Sequence, residues 1–408
     1  MSIIVQKYGG TSVANIERIK NVARRVVKTK ESGRDVVAVV SALGDTTDEL
    51  LKKAYAITSH PSEREIDVLL ATGEQVSTAL LAMAIQALGY DAISFSGPQA
   101  GIVTDTAHTK ARIVDLRTER IMRELKGGRI VIVAGFQGVT VDQDITTLGR
   151  GGSDITAIAL AAKLKAELCE IYTDVDGIYT ANPRVVTDAR KLPVISYDEM
   201  LEMAASGAEV LQLRAVEYGR NNDVPIHVRS SFNNEVGTLI KGEEEMMERP
   251  IISGVTFDVG QAKVTILGVP DRPGIAAKVF RALTGANINV DMIIQNVSEE
   301  GFTDISFTVS ESDLRKSHSV IDKLIPGLGA RGSTYDKDIA SVALVGAGMR
   351  THPGVAADMF SALAKEKINI EMISTSPIKI SCVIRRDMVE KAVQTLHKKF
   401  KLGKKSLH

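Results

Sequence analysis

Lys7 stands directly before Tyr8, Gly9, Gly10, Thr11 and Ser12, where an apolar run from Met1 to Val5 gives way to Ile16, Ile19, Val22, Ala23, Val26 and Val27 at helical spacing. Two glycines let a backbone approach an anion closely. A helix start offers unpaired N–H groups and a partial positive charge, and a lysine adds a point charge. The chemistry favoured by this order is the holding of a phosphate, with Lys7 on the charge that moves in phosphoryl transfer. A plain glycine turn beside an exposed lysine fits the same residues. Ser12 is the expected helix cap. The spacing is not that of a P-loop, which needs Gly-x-x-x-x-Gly-Lys-Ser/Thr.

A second glycine-rich approach to a helix is Thr146-Thr147-Leu148-Gly149-Arg150-Gly151-Gly152-Ser153-Asp154. It follows an expected hairpin, Phe136 to Thr146, turning at Asp142-Gln143-Asp144, and leads into an Ala-rich helix from Ile155 to Lys165. Arg150 suits a two-pronged grip on a carboxylate or phosphate, with Ser153 or Asp154 at the cap; a structural cap is the other reading. Ser41-Ala42-Leu43-Gly44-Asp45-Thr46-Thr47-Asp48 follows a strand, Val36 to Val40, where open α/β sheets place ligand groups, although a turn into a helix explains it equally. Glu74 is read as following a helix opened by Ser62 and Glu65 at capping-box spacing and interrupted by Gly73, a setting that favours a surface acid. Tyr172-Thr173-Asp174-Val175-Asp176-Gly177-Ile178-Tyr179 ends another strand and, with Arg184, gathers hydroxyls, carboxylates, a ring and a guanidinium. Gly346-Ala347-Gly348 starts like a dinucleotide fingerprint, but Thr351 stands where the third glycine belongs, which argues against NAD.

These segments need elements to position them. Up to about residue 240, strand-like runs such as Val36 to Val40, Arg129 to Ala134 and Cys169 to Thr173 alternate with helical patterns, the mark of a layered α/β domain with a mainly parallel sheet. Lys241 to Pro250, rich in charge, reads as a linker. Beyond it Pro273-Gly274-Ile275-Ala276-Ala277 recurs as Pro353-Gly354-Val355-Ala356-Ala357, and Ile288-Asn289-Val290-Asp291-Met292-Ile293 recurs as Ile368-Asn369-Ile370-Glu371-Met372-Ile373, both at an offset of 353 − 273 = 368 − 288 = 80 residues. Each copy reads strand, Pro-Gly turn, helix, strand, strand, helix, with a short last strand. The expected division is 1–240 for the α/β domain, 241–261 for a linker with a possible extra strand, 262–337 for one module and 338–408 for the other. Modules this small bury little surface alone, so they should pair.

The 408 residues carry 50 Lys+Arg against 50 Asp+Glu, so no net field draws the chain to nucleic acid. The lysines from Lys398 to Lys405 lack interleaved aromatics and read as a solvated tail. No leader pattern and no apolar run of membrane length is evident, so a cytoplasmic protein is expected. Cys169 and Cys382 read as buried thiols, and the seven histidines show no metal-ligand spacing.

In this order, Lys7 to Ser12, Ser41 to Asp48, Thr72-Gly73-Glu74, Gly149 to Asp154 and Tyr172 to Gly177 resemble the motifs of aspartokinases, and the repeat resembles paired ACT-type modules. The resemblance spans nearly the whole chain and implies the amino-acid-kinase three-layer fold plus two ferredoxin-like α+β modules. It also implies a monofunctional enzyme that moves the γ-phosphoryl of ATP, with Mg²⁺ brought by the nucleotide, onto the side-chain carboxylate of L-aspartate. By that resemblance Lys7, Tyr8, Gly9 and Gly10 meet the phosphates and Asp154 orients Lys7. Ser41, Thr47, Glu74, Arg150, Gly151, Gly152 and Ser153 form the aspartate pocket, while Thr173, Asp174, Tyr179 and Arg184 belong to the nucleotide. Lysine, threonine or both would act as effectors at Asp271, Ile275, Ala276, Asn289, Asp291 and Gln295, and at Val355, Ala356, Asn369, Ile370 and Thr375. Self-association through the modules is implied, with a shorter subunit started at Met246 or Met247 as an option. The chain departs from its relatives at Glu209, where many carry lysine, and at Pro377, where an acid is common. A kinase for glutamate or a nucleoside monophosphate, and a non-catalytic amino-acid sensor, are the rival readings.

Overall fold

The structure is a computed structural model describing residues 2–243, 251–295 and 301–403. Most of the charged linker, including Met246 and Met247, and the last lysines lie outside the described residues. Two compact units are present: Met1–Ile178 with Lys191–Ala204 and Glu209–Glu248, and Tyr179–Arg190 with Ala205–Ala208 and Arg249–His408.

The first unit is built on strands too apolar to face water. In order it contains β1 (Ile3–Tyr8), α1 (Ile16–Glu31), β2 (Asp35–Val40), α2 (Thr46–Ile57), α3 (Glu63–Gln86), β3 (Ala92–Phe95), β4 (Ile102–Thr104) and β5 (Ile113–Leu116). There follow α4 (Glu119–Lys126), β6 (Ile130–Ala134), β7 (Gln137–Val139), β8 (Ile145–Thr147), α5 (Gly152–Leu164) and β9 (Leu168–Thr173). The remainder is β10 (Val194–Ser196), α6 (Tyr197–Ala205), α7 (Leu213–Asn221), β11 (Ile226–Ser230) and β12 (Thr238–Lys241). The eight-stranded sheet runs β10-β12-β11-β9-β1-β2-β6-β3, parallel at every pairing except β11 with β12. Valine and isoleucine runs in β1, β2 and β6 are buried on both faces, as a parallel sheet between helices requires. On one face α1 and α3 bring Val22, Ala23, Val26, Leu81 and Ile85 against Val36, Ala38, Val40, Ile130 and Ile132.

A small second sheet, β5-β4-β7-β8, includes the hairpin expected around Asp142 to Asp144, with Gln143 in the left-handed region. By length and hydropathy α3 would pass for a membrane span, a feature the sequence reading overlooked. Here it packs against α1, β3, β6 and β8 and buries Asp67 and Glu74.

The repeat holds in the second unit. Its strands and helices are β13 (Gly254–Asp258), β14 (Gln261–Pro270), α8 (Ile275–Gly285), β15 (Ile293–Gln295), β16 (Phe302–Ser310), α9 (Leu314–Leu328) and β17 (Gly332–Asp336), then β18 (Ile339–Val345), α10 (Val355–Lys365), β19 (Met372–Ser376), β20 (Lys379–Arg385) and α11 (Val389–Lys399). The sheets are β15-β16-β14-β17 and β19-β20-β18-β13. The place that β17 takes beside β14 is thus taken beside β18 by β13, from upstream of both copies, and no later strand closes the second module among the described residues. Repeat-related Met292 and Met372 share one apolar cluster with Ile339 and Val383.

One segment of the N-terminal half belongs to this unit. Ala181, Val186 and Ala189 are buried in its core, and Thr180 Oγ1 donates to the Leu402 carbonyl at 3.0 Å while lying 3.0 Å from His397 Nε2. A cut after residue 240 would strip these residues of their packing.

Candidate functional site

Register places the first motif. Tyr8 pairs with Val40 on one side and Tyr172 on the other, and Val40 with Ala134, so Gly9, Ser41 and Gly135 follow neighbouring strand ends in one row with Thr173, the last residue of β9. Ligands of open parallel sheets bind at this carboxyl edge. Lys7 lies 2.7 Å from Asp154 Oδ1, with side chains only 12% and 10% exposed. A buried pair of this kind is costly to break, by about 3–5 kcal/mol, because one charge would be left uncompensated. A Cβ on Gly9 would lie 3.5 Å from the Lys7 ammonium, and one on Gly10 would press at 3.0 Å on the carbonyls of Ala42 and Gly44. The first glycine leaves room over the cation; the second lets two loops close on each other.

Several local expectations are corrected. Ser12 does not cap α1: a short 3-10 turn, Gly10–Val13, intervenes, and Asn15 Oδ1 accepts from Arg18 N at 3.0 Å. Ser12 is buried instead, 2.5 Å from Ser231 Oγ. Gly73 does not interrupt α3, which runs unbroken through it. A Cβ there would come 2.9 Å from Ala42 Cβ, so the glycine seats α3 against the Ser41–Gly44 turn. Ser62 makes no side-chain cap bond, and Glu65 pairs with Arg64 rather than completing a capping box. Neither Ser153 nor Asp154 caps α5; left-handed Gly151 does, and the helix starts at Gly152, where a Cβ would run into the Phe136 ring and Leu148.

Glu74 is not a surface acid: it is 3% exposed. Its Oε1 accepts from Ala42 N at 3.2 Å, and Oε2 has no partner among the described residues. Burial drives its pKa up to about 7 against the pull of the backbone bond. One turn on, Ser77 Oγ donates to the Ser41 carbonyl at 2.7 Å, a tether the sequence reading missed. Ser41 Oγ donates in turn to Ser153 Oγ at 3.0 Å, joining the β2 and α5 loops. Thr47 is half-buried in the first turn of α2, while Arg150 is exposed and without a partner among the described residues. Thr173 Oγ1 donates to Asp174 Oδ1 at 3.1 Å at the end of β9.

Lys7, Tyr8, Gly9, Gly10, Ser41, Thr47, Glu74, Gly149 to Asp154, Thr173 and Asp174 therefore all belong to the first unit. Tyr179 and Arg184 do not. They fall in the second unit, where Tyr179 packs on the core and Arg184 is exposed. Glu209 is exposed in the turn between α6 and α7. No group of three metal-ligating side chains is assembled among the described residues.

Behind the Gly9-Gly10 loop lies a polar network that periodicity could not reveal. Tyr8 and Tyr172 stack at 4.9 Å, Gln6 donates to Glu170 at 2.8 Å, and Arg229 pairs with Glu170 at 3.0 Å. The first glycine is bonded to the same strand, Gly9 N to Tyr172 O at 3.2 Å.

In the second unit the matched effector candidates occupy equivalent places. Ile275, Ala276, Val355 and Ala356 open α8 and α10 and are half-buried, as is Ile370; Asp271, Asn289, Asp291, Gln295, Asn369 and Thr375 are exposed. Pro377 sits in the β19–β20 turn. Glu371 is already engaged by Lys263 and, at 3.5 Å, by Arg385.

Residues 2–230 match the model of the amino acid kinase family, and residues 263–325 and 342–400 each match an ACT domain. The chain is 53% identical over 408 residues to an aspartokinase of Corynebacterium efficiens, covering 99% of this chain and 97% of that one. The chain belongs to the aspartokinase family. Among solved aspartokinases, Escherichia coli aspartokinase III in complex with aspartate and ADP superposes with TM-score 0.83 at 27% identity, covering 98% of this chain and 99% of that chain. The same enzyme in complex with lysine and aspartate gives TM-score 0.77 at 28% identity, over 98% of this chain and 99% of that one. The aspartokinase fold thus accounts for both units.

Proposed function

We propose that the first unit transfers the γ-phosphoryl of ATP to the side-chain carboxylate of L-aspartate, giving 4-phospho-L-aspartate, and that the paired modules bind lysine, threonine or both as feedback inhibitors. The observation that carries the reading is the Lys7–Asp154 pair beneath Gly9 and Gly10 at the sheet's carboxyl edge, with Glu74 and the Arg150 segment beside it in the same unit. In the reaction a carboxylate oxygen forms a bond to the γ-phosphorus as the bond from that phosphorus to the β–γ bridging oxygen breaks, and ADP leaves. The attacking group is already ionised, so no proton has to be removed from it. The protein's part is positioning and charge stabilisation.

Lys7, held by Asp154, neutralises charge moving toward the leaving oxygen. Gly9 and Gly10 leave space for phosphate oxygens, with Tyr8 fixing the strand behind them and Thr173 and Asp174 at the nucleotide. Tyr179 and Arg184, which belong to the second unit, are left out of this assignment. Mg²⁺ would come with the nucleotide and shield phosphate charge. Arg150 grips a substrate carboxylate, with Gly151, Gly152 and Ser153 shaping the pocket beside Ser41 and Thr47. Glu74, with one oxygen unpartnered among the described residues, receives the α-ammonium.

We assign 1–240, without Tyr179–Arg190 and Ala205–Ala208, which belong to the second unit, to the catalytic domain, 241–261 to a linker with one strand, and 262–337 and 338–408 to the two modules, which also carry self-association. A cytoplasmic setting fits this metabolism. The test is an ATP-dependent assay in which hydroxylamine traps the acyl phosphate. Aspartyl hydroxamate is the expected product. Turnover with glutamate in its place, or none from folded protein, overturns the assignment.

A further inference from the structure

Asp67 lies on α3 seven residues before Glu74, two turns along the same face, and its side chain is fully buried. Its carboxylate receives Thr147 Oγ1 at 2.5 Å, Thr109 N at 3.0 Å, and His108 Nδ1 at 2.8 Å. With Thr109 N and Thr147 Oγ1 donating to the same carboxylate, the imidazole nitrogen is assigned as the third donor. Thr147 ends β8 and leads straight into Leu148-Gly149-Arg150, while His108 and Thr109 belong to the loop between β4 and β5. The two segments also lie on each other. Ala111 N donates to Thr147 O at 2.9 Å, a Cβ on Gly149 would meet Thr109 O at 3.0 Å, and Arg214 bonds the carbonyls of both Leu148 and Ala111 at 2.9 and 3.2 Å. Thr109 holds φ at 64°, a strained value for a β-branched residue that persists only where its surroundings enforce it.

A buried carboxylate is seldom the most stabilising choice at a helix–loop contact, where apolar groups of similar volume do as well or better. Its particular property is direction: one group fixes two loops at set distances from the helix that also carries Glu74. We propose that Asp67 and His108 are a positioning pair that sets the Gly149–Gly152 segment, and with it Arg150, at a fixed distance from Glu74, so that aspartate recognition depends on residues that do not touch aspartate. The inference rests on the reading of Arg150 and Glu74 as aspartate ligands.

The test uses the full-length chain, with aspartate and ATP varied independently. His108→Ala should raise the KM for aspartate about tenfold or more, as displacement of a binding group does, with kcat and the KM for ATP within about twofold of the parent. His108→Asn, whose amide nitrogen takes the place of Nδ1, should restore most of the loss. Thr147→Val should act in the same direction. An unchanged aspartate KM in folded His108→Ala overturns the proposal, as does an Asn variant no better than Ala, or a parallel rise in both KM values, which marks general loosening. Arg150→Ala separates the layers. If it raises the aspartate KM while His108→Ala does not, the positioning role alone falls; if it leaves that KM unchanged, the reading of the pocket falls and takes the proposal with it.

Discussion

Several polar side chains around Lys7 in the kinase unit are held from behind, whereas Asn289, Asn369, Gln295 and Thr375 of the two ACT modules are exposed. Lys7 rests on Asp154, Glu74 on Ala42 N, Ser41 on Ser153, and the Arg150 segment on Asp67. In the modules Asn289 and Asn369, Gln295 and Thr375 are exposed at equivalent points of the repeat, and the firm ion pairs, such as Lys263 with Glu371 and Arg385 with Asp336, join one module to the other. A site that stabilises moving charge must be organised before substrate arrives, since reorganisation during reaction raises the barrier. A regulatory site works differently, because its ligand shifts an equilibrium only by the difference in affinity between two states. Firmness around Lys7 and openness at these repeat positions are what the proposed catalytic and effector roles would demand.

The largest expected break in this contrast is Lys7→Ala. It should lower kcat by about 10²- to 10³-fold, as loss of a preorganised donor does, with little change in the KM for aspartate. Steady-state kinetics decide it, and an unchanged kcat would remove Lys7 from the mechanism.

Glu74 comes next. Its folded pKa of about 7 lies above the ordinary 4.5, so the proton stabilises the fold; that contribution is whole below pH 4.5 and is lost as pH rises through 7. The 2.5-unit difference corresponds to an order of about 3 kcal/mol. Without ligand, thermal unfolding should fall from pH 5 to pH 8 in the parent and flatten in Glu74→Gln. That variant should also bind aspartate less tightly, because the ammonium loses its counter-charge. A parent whose stability is level over this range would contradict a buried carboxyl with one oxygen unpartnered among the described residues.

In the modules, Pro377 offers neither a charge nor an N–H at the β19–β20 turn, and Glu371 is engaged elsewhere. Lysine binding by the native chain should therefore be weak. Pro377→Glu should tighten it by about 10- to 100-fold, the worth of a charge-assisted hydrogen bond, while leaving kcat without effector nearly unchanged. Calorimetric titration of lysine into both proteins reads this directly, and tight native binding that the substitution does not improve would refute it.

The smallest effect belongs to Lys263→Met. The pair with Glu371 is partly exposed, so its loss should cost about 1 kcal/mol or less, seen as a modest fall in melting temperature, while effector dose–response curves shift because the two modules are less firmly joined. A fall of many degrees would show that the modules depend on this contact far more than its exposure implies.

Much was legible in the chain before any fold was known. Alternating apolar runs dictated the parallel sheet, glycines marked places where chain segments approach closely, and an offset of 80 residues exposed two copies of one module. These are local properties, written in neighbours a few positions apart. The tertiary structure decided matters in which the partner is distant. Glu74 looked like a surface acid beside a broken helix because nothing nearby discloses that Ala42 fills the space against Gly73. Asp67 gave no signal because its partner Thr147 is 80 residues away. The second module's β13 precedes both copies, and Tyr179–Arg190 joins a core built mostly by residues beyond 249. Strand order and burial choose such partners, and both depend on how whole elements pack, a property no local window of sequence contains.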